Sequence, residues 1–215
     1  MAGVCLWLAG LTSATVAAAD SPTLTVSEAA AVIGVLPQHP TAALPFKPGG
    51  RGTADLRHMP ENPGSCGSGT PDDVCKRWSA GIREARFIAA PQRGFRAAHS
   101  QIFDTAYVFQ DEAGAKRVFP IIREIYTRGF FNLTPFPVRG LATQESGLIG
   151  ALNLSLDDLG IVYLWRVANV VFEVDYIRAG QPESRDRKLE TAFLLYAKDV
   201  NRRAQAQTDK VEKRS

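Results

Sequence analysis

Residues 161–177 read IVYLWRVANVVFEVDYI, and this stretch decides the fold class. Two runs of β-branched and aromatic residues flank Ala168 and Asn169, a pattern that predicts a β-hairpin because Asn tolerates a positive φ in the turn. The charged exceptions in the two strands are Arg166, Glu173 and Asp175. We therefore expect a central hairpin that has one face covered by helices and the other partly exposed to water.

The rest of the chain supplies further strands and the helices that cover them. The predicted strands are 82–89, 101–109, 147–154, 161–167 and 170–177, and the predicted helices are 23–36, capped by Ser27, 111–128 and 183–203. Pro120 conflicts with the second helix, since an internal proline costs roughly 3 kcal/mol. Two runs of strands around one helix favour an α+β fold with a curved antiparallel sheet, and Phe119, Ile122, Phe193 and Tyr196 are expected to be buried beneath the helices.

The N-terminus predicts export. Residues 4–16 are uncharged and mostly apolar, and Ala17-Ala18-Ala19 follows, as in a secretory signal peptide over residues 1–19. With 215 residues, the chain is expected to form a single domain over 20–204. Within it, prolines and glycines predict a long irregular loop region over 37–75. We interpret the protein as secreted.

The net charge of +3 lies in the C-terminal tail. Residues 201–215 hold five basic and two acidic side chains, which leaves the rest of the chain neutral. A neutral body excludes nucleic acid as the main partner, because phosphate binding needs a basic face. The segment 205–215 is predicted to be disordered, with a basic character suited to an anionic surface.

Three cysteines are present, and Cys5 would leave with the signal peptide. Cys66 and Cys75 then form an even pair around a turn rich in glycine, proline and serine, which predicts a disulfide that staples the 37–75 loop. Such a short loop closure stabilises the fold by roughly 2.5–3 kcal/mol. A zinc site with His58 is the weaker alternative, because the spacing between the thiols is unusual for zinc. No metal or other cofactor is predicted.

Two groups of residues are candidates for ligand binding. Phe130, Phe131 and Phe136 follow the helix at 111–128 and either line an apolar pocket or belong to the core. Glu173 and Asp175 project from one strand face and form either a cation or acid/base site, or a solvated strand face.

A third candidate is a basic stretch with interleaved phenylalanines. Its arginines are Arg83, Arg86, Arg93 and Arg96. In an exported protein they suit an anionic surface such as a cell-wall polymer or lipid headgroups. The alternative is that they protect strand edges from unwanted pairing.

The second half of the chain resembles secreted and lipid-anchored actinobacterial domains, including the extracellular sensor-like domains of receptor Ser/Thr kinases. The resemblance rests on residues 108–115 as a strand followed by a helix, on 137–141 before a strand, and on 165–174 as the last hairpin. It implies an α+β sandwich with a curved antiparallel sheet, and it implies no catalytic residues.

These observations leave three functional classes. The first is a secreted, non-catalytic binding or sensor-like module, for an apolar or cell-envelope ligand. The second is an interaction or inhibitor protein that uses the stapled 37–75 loop. The third is an exported enzyme, for which the sequence offers no phosphate-binding loop, nucleophile elbow or metal-binding helix.

Overall fold

The computed structural model describes residues 22–35, 46–54, 71–128, 133–142, 144–151, 159–178 and 187–214. The helices are α1 (Val26–Ile33), α2 (Asp72–Glu84), α3 (Glu112–Arg128) and α4 (Arg187–Glu212). The strands are β1 (Lys47–Ala54), β2 (Phe87–Ala97), β3 (Ser100–Phe109), β4 (Thr134–Phe136), β5 (Glu145–Ala151), β6 (Leu159–Val167) and β7 (Val170–Arg178). The predicted signal peptide lies outside these residues.

All seven strands form one antiparallel sheet, in the order β1-β2-β3-β7-β6-β5-β4. Two meanders, β1 to β3 and β4 to β7, meet where β3 pairs with β7, and α3 connects them. The α+β class and the antiparallel sheet are therefore confirmed. This order places β3 and β7 next to each other near the middle of the sheet, where side chains on both faces are farthest from solvent.

Helices cover both faces of the sheet. On one face, α1 and α4 pack on the sheet around Trp165, Phe172 and Phe193. On the other face, α2 and α3 pack around Trp78 and Phe109. The prediction that one face of the central hairpin is partly exposed is wrong, because α3 lies over the side that carries Glu173. The four predicted core residues, Phe119, Ile122, Phe193 and Tyr196, are buried.

The turn between β6 and β7 differs from the expectation in one detail. The positive φ of 49° falls on Ala168, whereas the Asn169 side chain is buried and serves as a hydrogen-bonding hub. Its Nδ2 donates to the carbonyl oxygens of Phe109, at 2.6 Å, and Leu24, at 3.0 Å. Its Oδ1 accepts from the backbone N–H of Leu24 at 2.7 Å. Asn169 thus fastens the segment before α1 to the central strands.

The predicted strand at 82–89 is wrong at its start. Residues 72–84 form α2, since Val74, Trp78 and Ile82 recur every four residues and bury one face of a helix. The strand begins only at Phe87 and runs to Ala97. Cys75 lies in α2, but Cys66 lies outside the described residues, so the disulfide stays a prediction.

The 37–75 region is less irregular than predicted. Residues 47–54 form β1, which pairs with β2 and contains an irregularity in register between Pro48 and Arg51. Proline and glycine are tolerated here because β1 is an outer strand of the described sheet, where the missing N–H of Pro48 costs least. Residues 47–54 therefore form a strand because they pair with β2, and not because they prefer the extended conformation.

Two helix ends also depart from the expectation. Thr25, not Ser27, caps α1, in a capping box with Glu28. The segment 205–215 was expected to be disordered, yet α4 continues to Glu212. Gln207 Nε2 donates to Glu28 Oε1 at 3.1 Å, so contact with α1 holds the last turns of α4.

Helix α3 contains Pro120 without ending there. Pro120 is exposed, so the carbonyl that it leaves without a hydrogen bond faces water. Near the start of the helix, a Cβ on Gly114 would lie 2.3 Å from the carbonyl oxygen of Ala85. Only glycine allows α3 to pack this closely on the connection between α2 and β2, and this contact positions α3 over the central strands.

Candidate functional site

The candidate site is a set of three acidic side chains on the two central strands. Asp104 lies on β3, and Glu173 and Asp175 lie on β7. Asp104 and Glu173 are buried, and Asp175 is half-buried. Buried carboxyls are rare unless they are paired with a base, so their presence in the middle of the sheet calls for a physical account.

Glu173 and Asp175 share the face that α3 covers. Successive side chains of a strand alternate between faces, so these two are neighbours at about 7 Å along β7. The hydroxyl of Tyr107 donates to Glu173 Oε2 at 3.1 Å, and the hydroxyl of Tyr126 donates to Asp175 Oδ2 at 3.3 Å. The cluster therefore joins β7 to β3 through Tyr107 and to α3 through Tyr126.

Burial dominates the protonation of this cluster. It raises the pKa of Glu173 to about 7, while hydrogen bonds from the Tyr126, Tyr107 and Thr105 hydroxyls act in the opposite direction. Burial raises the pKa of Asp175 as well, and the charge of Glu173 adds to this effect. The pKa values of both tyrosines are raised in turn by burial and by the acids beside them, so the phenols stay protonated and act as donors.

Asp104 lies on the opposite face of the sheet, beneath α4. The hydroxyl of Tyr196 donates to Asp104 Oδ2, whereas Asp104 Oδ1 is buried and has no hydrogen-bond partner among the described residues. Burial raises the pKa of Asp104 to about 8, and Tyr196 and the positive charge of Arg203 lower it by less.

Arg203 is the basic group that faces Asp104. Its Nε donates to the carbonyl oxygen of Val32 at 2.9 Å, so it is anchored to α1, and its Nη2 is buried without a partner among the described residues. A buried carboxyl oxygen and a buried guanidinium nitrogen thus both lack partners near the contact of α1 and α4. This side of the site is only partly neutralised.

The structure places the other predicted site residues apart from these acids. Phe136 lies in β4 and packs edge-on against Tyr163, with ring centroids 5.9 Å apart, so it contributes to the core. Phe130 and Phe131 lie outside the described residues, and the apolar pocket predicted there stays a prediction.

The predicted basic stretch falls into two parts. Arg83 and Arg86 lie at the connection between α2 and β2, whereas Arg93 and Arg96 lie toward the other end of β2. Nine strand residues lie between Arg86 and Arg96, which places them about 30 Å apart. The fold instead brings Arg93 and Arg96 next to β1.

An open depression of about 360 Å³ lies at the start of α4. It is lined by Lys188, Thr191, Ala192 and Leu195. Leu195 is 47% exposed and supplies the largest apolar side chain of this lining.

Sequence reasoning missed several members of the site. Asp104 carries the clearest signal, because it is a charged residue inside the otherwise apolar strand 102–109. The sequence pattern predicts ordinary core positions for Tyr107, Tyr126 and Tyr196. Nothing in it indicates that their hydroxyl groups hydrogen-bond to carboxylates. The pairing of β3 with β7 brings Tyr107 to Glu173, and the packing of α3 and α4 on the sheet brings Tyr126 to Asp175 and Tyr196 to Asp104.

Within the described residues, no three His, Cys, Asp or Glu side chains are grouped to hold a metal ion. Asp104 is separated from the other two acids by the sheet itself. The described helices include none that is long and apolar enough to cross a membrane.

The fold and site together define an α+β domain with a seven-stranded antiparallel sheet, helices on both faces and buried acids on its central strands. No protein-family model and no curated protein matches the sequence. Among solved structures, the chain is similar to the extracellular domain of PknH from Mycobacterium tuberculosis, with a TM-score of 0.44 and 13% identity. The match covers 89% of this chain and 93% of that chain.

Proposed function

We propose that the protein is a non-catalytic, extracytoplasmic sensor-like module whose sheet responds to protonation. The observation that carries this proposal is that two adjacent central strands hold the buried Asp104 and Glu173 and the half-buried Asp175. Their oxygens lie beneath α3 and α4 and hydrogen-bond to tyrosines, so a substrate does not reach them without movement of a helix. Groups in this position exchange protons with the environment and change the stability of the sheet.

The direction of the response follows from the raised pKa values. A carboxyl with a raised folded-state pKa is protonated more readily in the folded chain than in the unfolded chain. For Glu173 this stabilisation is complete below pH 4.5, the ordinary pKa, and is lost as the pH rises to about 7. For Asp104 the corresponding window runs from 3.8 to about 8. The contribution of these carboxyls to the free energy of unfolding is therefore largest in mild acid and falls toward neutral and alkaline pH.

The ligand that we propose is apolar or derived from the cell envelope, as suits an exported protein with the predicted signal peptide at 1–19. The depression at the start of α4 supports this proposal. It is open to solvent, so a ligand there would lie along the surface of α4 rather than be enclosed. The exposed Leu195 offers an apolar contact, which suits an acyl chain.

A fluorescent fatty acid tests the ligand proposal. Leu195→Gln replaces the apolar side chain with a helix-compatible polar one and should weaken binding about tenfold, which is about 1.4 kcal/mol. Val35→Gln is the matched control, because Val35 is exposed to a similar degree, 41%, but lies after α1. Wild type without binding, or equal weakening by both variants, would contradict an apolar site at α4.

The second candidate function is an interaction protein that uses the 37–75 region. The observation that favours it is β1, which lies within this region and whose residues 47–53 are all exposed. An exposed outer strand offers unpaired backbone groups to another chain.

A further inference from the structure

The outer edge of β1 combines length with exposure. Eight residues form this strand, which is longer than the usual five or six, and in the described sheet it pairs on one side only, with β2. Proteins protect such edges by making or keeping them short, by covering them, or by placing charges, proline or a bulge on them. β1 carries Lys47, Pro48 and a register irregularity, which disfavour pairing with an arbitrary strand, so a partner has to match its charge. Among the described residues, nothing pairs with the outer backbone groups of β1, so apart from the missing N–H of Pro48 they can pair with another strand.

Like charges face each other across β1 and β2. Lys47 lies opposite Arg96, and Arg51 lies opposite Arg93. Like charges at directly opposed positions destabilise a sheet, and none of the four forms an ion pair with a described residue. Arg93 and Arg96 are three residues apart on β2, so their side chains point to opposite faces of the sheet. The basic side chains therefore lie on both faces of the sheet beside the β1 edge. An anionic strand laid along this edge would neutralise them.

Two glycines leave room for a second backbone. A Cβ on Gly50 or Gly52 would meet nothing within 4 Å, so packing inside the chain does not require glycine at either position. At Gly49, by contrast, a Cβ would lie 2.9 Å from the carbonyl oxygen of Gly94. Gly50 lies in the register irregularity between Pro48 and Arg51, which accounts for glycine there, whereas Gly52 lies in regular pairing with Gln92. Glycine in a regularly paired strand position is one mark of the close approach of another backbone.

We propose that the β1 edge binds an extended, acidic segment of a partner protein, which adds to the sheet as an eighth strand. Backbone hydrogen bonds supply the strand pairing, and Lys47, Arg51, Arg93 and Arg96 select for acidic side chains. The same four charges disfavour pairing with a second copy of this chain, because two basic edges would then meet. This proposal does not rest on the protonation of the buried acids or on the depression at α4.

Fluorescence anisotropy with a labelled peptide of alternating glutamate and valine tests the proposal. The wild-type chain should bind this peptide, and the double variant Lys47→Glu, Arg51→Glu should bind it at least tenfold more weakly. The matched control is Lys116→Glu, Lys213→Glu, which changes the net charge equally at two exposed residues away from β1 and should bind as wild type does. Circular dichroism checks that both variants are folded.

A second peptide separates strand pairing from charge attraction alone. It has the same sequence but carries N-methyl groups on alternate backbone nitrogens, which removes hydrogen bonds and keeps every charge. Its binding should be at least tenfold weaker, and hydrogen exchange should show protection of residues 47–54 by the unmethylated peptide only. Four results would overturn the proposal. The first two are failure of the wild type to bind millimolar peptide and equal binding of both peptides. The third is an equal loss of binding in the two double variants. The fourth result is self-association of the wild type through β1.

Discussion

Replacement of Glu173 by glutamine separates the protonation of this residue from its shape. Glutamine keeps the size of the side chain and an oxygen that accepts from Tyr107, but it does not ionise. In the wild-type fold, burial raises the pKa of Glu173 from 4.5 to about 7. This difference corresponds to about 3 kcal/mol of stability that is lost as the pH rises through the interval.

Urea unfolding between about pH 5 and pH 8 measures this loss, with the fluorescence of the buried Trp78 and Trp165 as the signal. The free energy of unfolding of wild type should fall across this range. In Glu173→Gln the fall should be smaller by about 2–3 kcal/mol, because the variant removes the ionisation of Glu173 and with it the charge that helps to raise the pKa of Asp175. The pKa values of Glu28 and Asp73 are lowered, so these residues affect stability in more acidic solutions.

Glu84→Gln is the matched control, because the Glu84 side chain is 65% exposed and its ion pair with Arg117, at 3.7 Å, lies on the surface. It should leave the pH dependence of wild type unchanged. A wild-type stability that is constant or rises from pH 5 to pH 8 would refute the reasoning. So would an identical pH dependence in Glu173→Gln and wild type.

Three further predictions concern the core, the turn and the export of the chain. Phe193→Ala should lower the free energy of unfolding by roughly 3–5 kcal/mol, because the ring is fully buried between Tyr163 and Tyr176. A loss under about 1 kcal/mol would show that α4 does not pack in the core. Asn169→Ala should cost about 3 kcal/mol in thermal or urea unfolding, since it leaves buried backbone groups without partners, and a cost near zero would contradict the role of this side chain as a hub. Intact-mass analysis of secreted protein should give a chain that begins at Asp20 and has no free thiol, whereas a retained N-terminus or two cysteines that alkylate without reductant would contradict export and the disulfide.

The second half of the fold was predictable because its strands are apolar and its turns are local. The hairpin at 161–177 and the helix at 111–128 appear close to their predicted bounds. Helix α2 was missed although Val74, Trp78 and Ile82 carry a helical period, because the preceding prolines and glycines masked its start. β1 has no intrinsic strand preference and depends on pairing with β2, which is distant in sequence.

The candidate site was predictable only in part. Glu173 and Asp175 were candidates from their spacing, but alternation along a strand does not tell whether the polar face meets water or a helix. That depends on where α3 packs, and hence on the contact of Gly114 with Ala85. Asp104 was not a candidate, because its environment arises from α4, which follows it by more than eighty residues.

The central claim is that buried carboxyls on β3 and β7 hold protons in the folded sheet. Carbon-13 NMR of the side-chain carboxyl groups, followed as a function of pH, tests it directly, with Glu173→Gln and Asp104→Asn to assign the signals. Glu173 should titrate near pH 7 and Asp104 near pH 8, and amide signals of both strands should shift in the same range. Titration of both carboxyls near their ordinary values of 4.5 and 3.8, in a chain that remains folded, would contradict it.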